Sequence, residues 1–231
     1  MSKIAVVFGA NGTIGSASID CLENHGYHVE PVYRVPCENA EFENQYIAVD
    51  FRYPSLLDSA CDIIVKKYNK ISLFLNASGI PGHTWNEISA KDWLETLMVN
   101  TISPMLIAYK LLPFIESGGC VINITSMAAN IAFREPDYSS SKAALVAAMR
   151  SFAWVAAEYG VRAVCISPGP VSSPMTEKWS NEERQDRISR TPLKRFAEPN
   201  EVADLIAFIA SSKAKHITGT VIDIAGGFEM R

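Results

Sequence analysis

The sequence predicts an α/β fold: a doubly wound parallel sheet of about seven strands with helices on both faces, layered αβα. Three observations lead there. Short runs rich in β-branched and apolar residues, at 4–8, 29–33, 46–49, 71–75, 121–124, 163–167 and 221–224, alternate with helical patterns. Parallel strands need crossovers, which are right-handed, so this alternation winds a single sheet. The first run passes directly into a glycine-rich turn, Gly9-Ala-Asn-Gly-Thr-Ile-Gly15, and then into a helix. The 231 residues are 48% apolar, enough for a buried core, and no internal repeat, low-complexity tract or linker divides them. One domain over residues 1–231 is expected.

In chain order, the run at 4–8 feeds the glycine turn, where the backbone can approach a bound group closely and a helix N-terminus offers free N–H groups. The run at 29–33 ends in Val32-Tyr33-Arg34, with no acid at its tip and Glu30 further back. The run at 46–49 leads to Asp50 and Phe51, and that at 71–75 to Asn76-Ala-Ser-Gly79. A helix over 105–115 follows Pro104, which lacks an N–H and so leaves the Asn100 carbonyl without its helical donor. The run at 121–124 ends in Thr125 and Ser126, and 163–167 runs into Pro168-Gly169-Pro-Val171-Ser-Ser173. Ligands of such sheets bind outside the carboxyl ends of the strands, where these segments fall. Residues 171–195, polar and broken by prolines, stand outside the alternation and are expected to form a lid.

The helices over 105–115 and 143–157 are apolar nearly all round. A surface helix keeps one polar face, so a second subunit is the expected cover, giving a homodimer or homotetramer with Met149, Phe152 and Trp154 at the interface.

A net charge of −4 without a block of like charge argues against nucleic acid and anionic membranes as partners, and leaves small molecules. The five cysteines, Cys21, Cys37, Cys61, Cys120 and Cys165, are scattered and lack Cys-x-x-Cys spacing, so neither a disulfide framework nor a metal site is expected. The N-terminal apolar strand is too short for a signal sequence, and no apolar run approaches the ~20 residues of a membrane span. A cytoplasmic protein is expected.

Tyr138 and Lys142 are four residues apart, on one helix face. A positive charge beside a phenol favours its ionised form and brings proton transfer towards working pH. Tyr-x-x-x-Lys alone is a common pattern. The order of glycine turn, Asn76-Ala-Ser-Gly79, Asn100, Ser126, Tyr138, Lys142 and Pro168-Gly169 resembles the short-chain dehydrogenase/reductase family, in its compact single-domain, Rossmann-type branch.

The resemblance implies hydride transfer between a nicotinamide cofactor and a carbonyl or secondary alcohol. It makes Tyr138 the general acid/base and Ser126 a second hydrogen bond to the reacting oxygen. Lys142 would lower the pKa of the tyrosine and bond the nicotinamide ribose, and Asn100 would hold a water linking Lys142 to solvent. Gly9, Asn11, Gly12, Thr13, Ile14 and Gly15 would meet the pyrophosphate. Asp50 and Phe51 would border the adenine, Asn76, Ala77, Ser78 and Gly79 wall the middle, and Pro168, Gly169, Val171 and Ser173 lie by the carboxamide. Arg34 on an acid-free strand tip favours NADP(H), its fork meeting a 2′-phosphate, with NAD(H) the alternative. The spacing Gly9-x-x-Gly12-x-x-Gly15, like that of the extended branch, leaves a nucleotide-sugar epimerase or dehydratase as another reading, and a non-catalytic dinucleotide sensor as a third. Substrate contacts would come from the lid and from loops 80–86 and 127–137. Arg184, Arg187 and Arg190, followed by Lys194 and Arg195, would either meet an anionic or carrier-bound substrate or form a solvated helix face.

Overall fold

The structure, a computed structural model, describes residues 3–34, 47–131 and 133–228; Cys37 and Tyr46, named above, lie outside the described residues. The chain begins β1 (Lys3–Phe8), α1 (Thr13–Asn24), β2 (Tyr27–Arg34), β3 (Ile47–Val49), α2 (Pro54–Lys67) and β4 (Ile71–Asn76). It continues α3 (Ala90–Leu97), α4 (Ser103–Leu111), β5 (Ile115–Ile124), α5 (Pro136–Glu158) and β6 (Arg162–Pro168). It closes with α6 (Pro174–Glu177), α7 (Asn181–Arg190), α8 (Pro199–Ala210) and β7 (Thr220–Ile224).

The seven strands form one parallel sheet in the order β3-β2-β1-β4-β5-β6-β7. From β1 the chain winds outward to one side through β2 and β3, then returns to β4 and winds to the other. The switch point therefore lies between β1 and β4, where Phe8 pairs in register with Asn76. Alternate strand residues cover opposite faces. Val6, Phe8, Phe74 and Val121 pack with α2, α4 and α5, while Val7, Leu73, Leu75 and Ile122 pack with α1 and α8. Phe8 sits between Phe51 and Phe74 in edge-on contacts at 6.0 and 5.6 Å; burying a side chain of that size stabilises the fold by about 1.5–3 kcal/mol. The apolar runs end where the site begins, so a rigid core presents the loops.

Two expectations need correction. The helix expected over 105–115 belongs to a longer helical stretch, and Ile115 already opens β5. Between α3 and α4, residues Met98–Ile102 form one π-helical turn in which the Ser103 N–H reaches back to Met98 O. The stretch Ala90–Phe114 is, by length and composition, long and apolar enough to cross a membrane, but half of its most apolar window is buried and it packs on α2, α5 and the sheet as a core helix does. Second, Met149 and Phe152 are core side chains, 2% and 6% exposed, because they lie on the inner face of α5. Only Trp154 of the three proposed interface residues faces outward, at 82% exposure. The segment 171–195 expected as a lid contains α6 and α7, each opened by a serine that caps the helix, Ser173 and Ser180.

Candidate active site

The glycine turn and the segment after β4 face each other across the switch point. Gly9, at φ 78°, lies so near that segment that an added Cβ would come 2.6 Å from Ser78 N. A Cβ at Gly15 would collide with the Gly9 carbonyl oxygen. Gly12 is the N-cap of α1 and brings no side chain to its first-turn N–H groups, which Thr13 and Ile14 begin. A cleft of about 220 Å³ runs between Gly9, Asn11 and Gly12 on one side and Ala77, Ser78 and Gly79 on the other. Arg34 crosses it, its guanidinium donating to Gly79 O at 3.0 Å. Asn11 fixes the base of that side chain twice: Nδ2 donates to Arg34 O at 2.8 Å and Oδ1 accepts from Arg34 N at 3.0 Å. A cradle with no room for a Cβ at Gly9 or Gly15, open helix N–H groups and a neighbouring guanidinium fit the pyrophosphate of a dinucleotide.

Other expected cofactor positions are partly engaged. Asp50 is held by the Arg52 backbone and guanidinium; burial tends to raise its pKa, but those bonds outweigh it and hold the carboxyl below its usual range. The Phe51 ring is fully buried against Phe8 as part of the core, which leaves its backbone to border an adenine. Asn76 accepts from Ser78 Oγ, and its own Nδ2 is buried without a partner. Gly169 N donates to Ile224 O at 3.1 Å, Val171 bridges to Ala197, and the Ser173 hydroxyl serves as the α6 cap. A larger cleft of about 520 Å³ opens between Asn130, Arg150 and residues 220–228, beside the edge strand β7. It is separate from the glycine cradle.

Ser126 leaves the end of β5, and Tyr138 and Lys142 lie on the first turns of α5. The Ser126 side chain lies close enough to the Tyr138 phenol to lower its pKa, and its Oγ accepts from Ala128 N at 3.1 Å. Lys142 Nζ lies 5.8 Å from the centre of the Tyr138 ring and donates to Ile124 O at 3.0 Å. The expected lowering of the phenol by Lys142 is not what this arrangement produces. Burial raises the tyrosine, the nearby Ser126 side chain lowers it and Glu135 raises it, for a net rise. The reason is that both groups are desolvated: burial also pulls the Lys142 ammonium down to about 8.

Asn100 sits fully buried in the π-helical turn. Its side chain pairs with the backbone of Ile80, accepting from N at 2.8 Å and donating to O at 3.0 Å, and reaches Ser141 Oγ at 3.1 Å. The structure thus brings Asn100, Ser126, Tyr138 and Lys142 to one place. Sequence reasoning missed Asp137, Thr96 and His83, which form a buried junction beside Tyr138. The acidic residue directly before the tyrosine was the available signal. The arginines of α7, a helix with no buried residue, also rest on aromatic rings: Arg184 lies over Phe196 and donates to Thr176 O, Arg187 lies over both Phe133 and Trp179, and Arg190 lies over Phe228.

Sheet topology and cradle define a Rossmann-type dinucleotide-binding protein. The family model described as enoyl-(acyl carrier protein) reductase matches residues 10–229. A 3-oxoacyl-(acyl-carrier-protein) reductase from Thermotoga maritima is 31% identical over 170 residues, 71% of this chain and 68% of that protein. The enzyme of the same name from Staphylococcus aureus is 27% identical over 244 residues, 100% of this chain and 99% of that one. A short-chain dehydrogenase/reductase from Serratia marcescens superposes with a TM-score of 0.87 at 24% identity, covering 98% of this chain and 97% of that chain. The chain belongs to the short-chain dehydrogenase/reductase superfamily. It is an NAD(P)-dependent oxidoreductase acting on carbonyl or alcohol groups.

Proposed function

We propose that the protein reduces a carbonyl, or oxidises the matching secondary alcohol, with NADP(H), and that Tyr138 gives or takes the proton. The observation that carries this is the convergence of Tyr138, Lys142 and Asn100, with Lys142 Nζ 5.8 Å from the centre of the phenol ring and Ser126 close enough to the phenol to lower its pKa. A bound nicotinamide supplies or accepts the hydride. Charge then builds on the substrate oxygen, where the Tyr138 and Ser126 hydroxyls are the two donors at hand. Lys142 carries the positive charge that favours an ionised tyrosine once the proton has left, and offers its remaining N–H groups to the cofactor ribose. The Asn100 carbonyl, which Pro104 cannot engage, accepts a water that links Lys142 to solvent.

Gly9 to Gly15 hold the pyrophosphate, and Arg34 holds a 2′-phosphate, the basis of the NADP(H) preference. In this reading residues 1–231 are one domain that works in the cytoplasm, in keeping with the free thiols Cys21, Cys61, Cys120 and Cys165. The outward apolar side chains Leu106, Tyr109, Trp154 and Val155 on α4 and α5 are covered by a second copy. The test is a panel of ketones, aldehydes and alcohols with NADPH or NADP⁺, followed at the reduced nicotinamide absorbance. Tyr138→Phe should lower kcat by about 10²–10⁴-fold and leave cofactor affinity unchanged. Full turnover in that variant would remove Tyr138 from the chemistry.

A further inference from the structure

Asp137, the residue before Tyr138, is fully buried and accepts four hydrogen bonds. Two come from His83, at 2.9 Å from its backbone N–H and 2.9 Å from ring Nδ1. The others come from Thr96 Oγ1 at 2.9 Å and from the Tyr138 N–H at 2.8 Å. His83 lies on the loop leaving β4, so a single carboxylate joins that loop, α3 and the catalytic end of α5. Gly82 brings the same loop against the tyrosine, where an added Cβ would come 2.6 Å from Tyr138 Cβ and collide with Asp137 Oδ1. On its other side the imidazole Nε2 stands 3.8 Å from Asp92 Oδ1.

We propose that His83 and Asp137 are a positioning pair that seats the β4–α3 loop on Tyr138, and that a proton on His83 tightens this seating and with it the hold on substrate. This rests on the reading of Tyr138 as the acid/base. The physical argument is that Asp137 stays ionised: burial acts to raise its pKa, but the bonds from His83, Thr96 and Tyr138 prevail and lower it. A buried carboxylate facing an imidazole favours the imidazolium, and the bond to Asp137 chiefly holds His83 above its ordinary 6.5. The other charged groups around the ring are Glu135 beside Gly82, Asp92 and Glu95 from α3, Lys91 next to Asp92, and Arg52 against Glu95. Acidic groups dominate this set. Neutral imidazole can keep Nδ1–H on Asp137 but loses its attraction to Asp92 and Glu95. The charged clamp is therefore complete below 6.5 and fades as pH rises through the raised value.

The first experiment is an NMR titration of the His83 ring Cε1–H in the whole protein, its signal assigned by its absence in His83→Asn. A midpoint above 6.5 that falls in Asp92→Asn is expected; a midpoint at or below 6.5 overturns the proposal. It needs no turnover, so it stands apart from any failure of Tyr138 as the acid. The second uses the carbonyl substrate found with the panel above. In the unmutated protein KM should rise through one ionisation at the His83 midpoint. His83→Ala should raise KM by about tenfold to a hundredfold, more than it lowers kcat, since misplaced contacts cost about that much. His83→Asn, whose amide can donate from the place of Nδ1, should recover most of that loss and show a KM independent of pH in this range. An unchanged KM and pH profile in His83→Ala would overturn the pair as a positioning device.

Discussion

Replacing Lys142 by methionine should make the protein inactive and more stable. Lys142 is 3% exposed, and its ammonium meets the Ile124 carbonyl at 3.0 Å, not a carboxylate. Burial pulls its pKa from 10.5 to about 8. At about 1.4 kcal/mol for each tenfold change in acidity, a charged Lys142 costs the folded state about 3 kcal/mol at neutral pH. The sign follows from where the proton sits. Below about 8 both folded and unfolded chains carry it and the cost is complete; between about 8 and 10.5 the folded chain sheds it first, and above 10.5 nothing is left of the cost. Methionine fills a similar volume without charge but leaves Ile124 O without that donor, a loss of roughly 1–2 kcal/mol. The net gain is about 1–2 kcal/mol at neutral pH. For a chain of this length that is a rise in Tm of roughly 2–8 °C. Thermal unfolding of both proteins from about pH 6 to about pH 10 should show the gain shrinking and then reversing as the wild-type lysine neutralises. A variant less stable at neutral pH, or a Tm difference indifferent to pH, would refute the argument.

Two further outcomes are open to direct measurement. Arg34→Ala should bring the dissociation constants of NADPH and NADH together, read by cofactor fluorescence, whereas equal affinities in the unmutated protein would remove the assigned preference. Trp154→Glu, at a position too exposed to matter to the core, should leave unfolding within about 0.5 kcal/mol of wild type while splitting the oligomer. Sedimentation of the unmutated protein as one fully active species of 25.3 kDa would end that reading.

The sheet was legible because its signal is local. Each strand is a short apolar run, and the runs at 71–75 and 163–167 fall within strands whose residues are all buried. The helix faces were less so. A helix apolar all round does not say which side meets the sheet, and on α5 Met149 and Phe152 turned inward while Trp154 turned out. The π-helical turn at Met98–Ile102 escaped as well. Pro104 marks a missing donor near Asn100, but whether the chain answers with a kink or a widened turn depends on what packs around it. The ionisation of Tyr138 went the same way, since spacing puts an ammonium nearby but burial, which sequence does not reveal, sets the balance.

The segment from Gly79 to His83 shows most clearly why the candidate site was only half readable. Gly79 O receives Arg34, and a Cβ on Gly79 would stand 3.4 Å from both Asn100 Oδ1 and Lys142 Nζ. Ile80 is paired through both backbone groups with the Asn100 side chain. Gly82 lies against Tyr138 and His83 on Asp137. Four of these five residues, all but Pro81, thus meet the guanidinium over the cleft, the lysine, the asparagine, the tyrosine and its neighbouring carboxylate, and of the four only Gly79 had an expected cofactor role. The contacts run mostly through backbone atoms and through the lack of a side chain, so no residue type in 80–83 advertises them. Gly82 is required for room and not for its backbone angle, because its φ lies outside the left-handed region while the space beside it is filled by Asp137 and Tyr138. Such a requirement exists only once α5 has docked. A shift of this loop would disturb Arg34, Lys142 and Tyr138 together, which in the proposed mechanism would couple substrate binding to the proton donor.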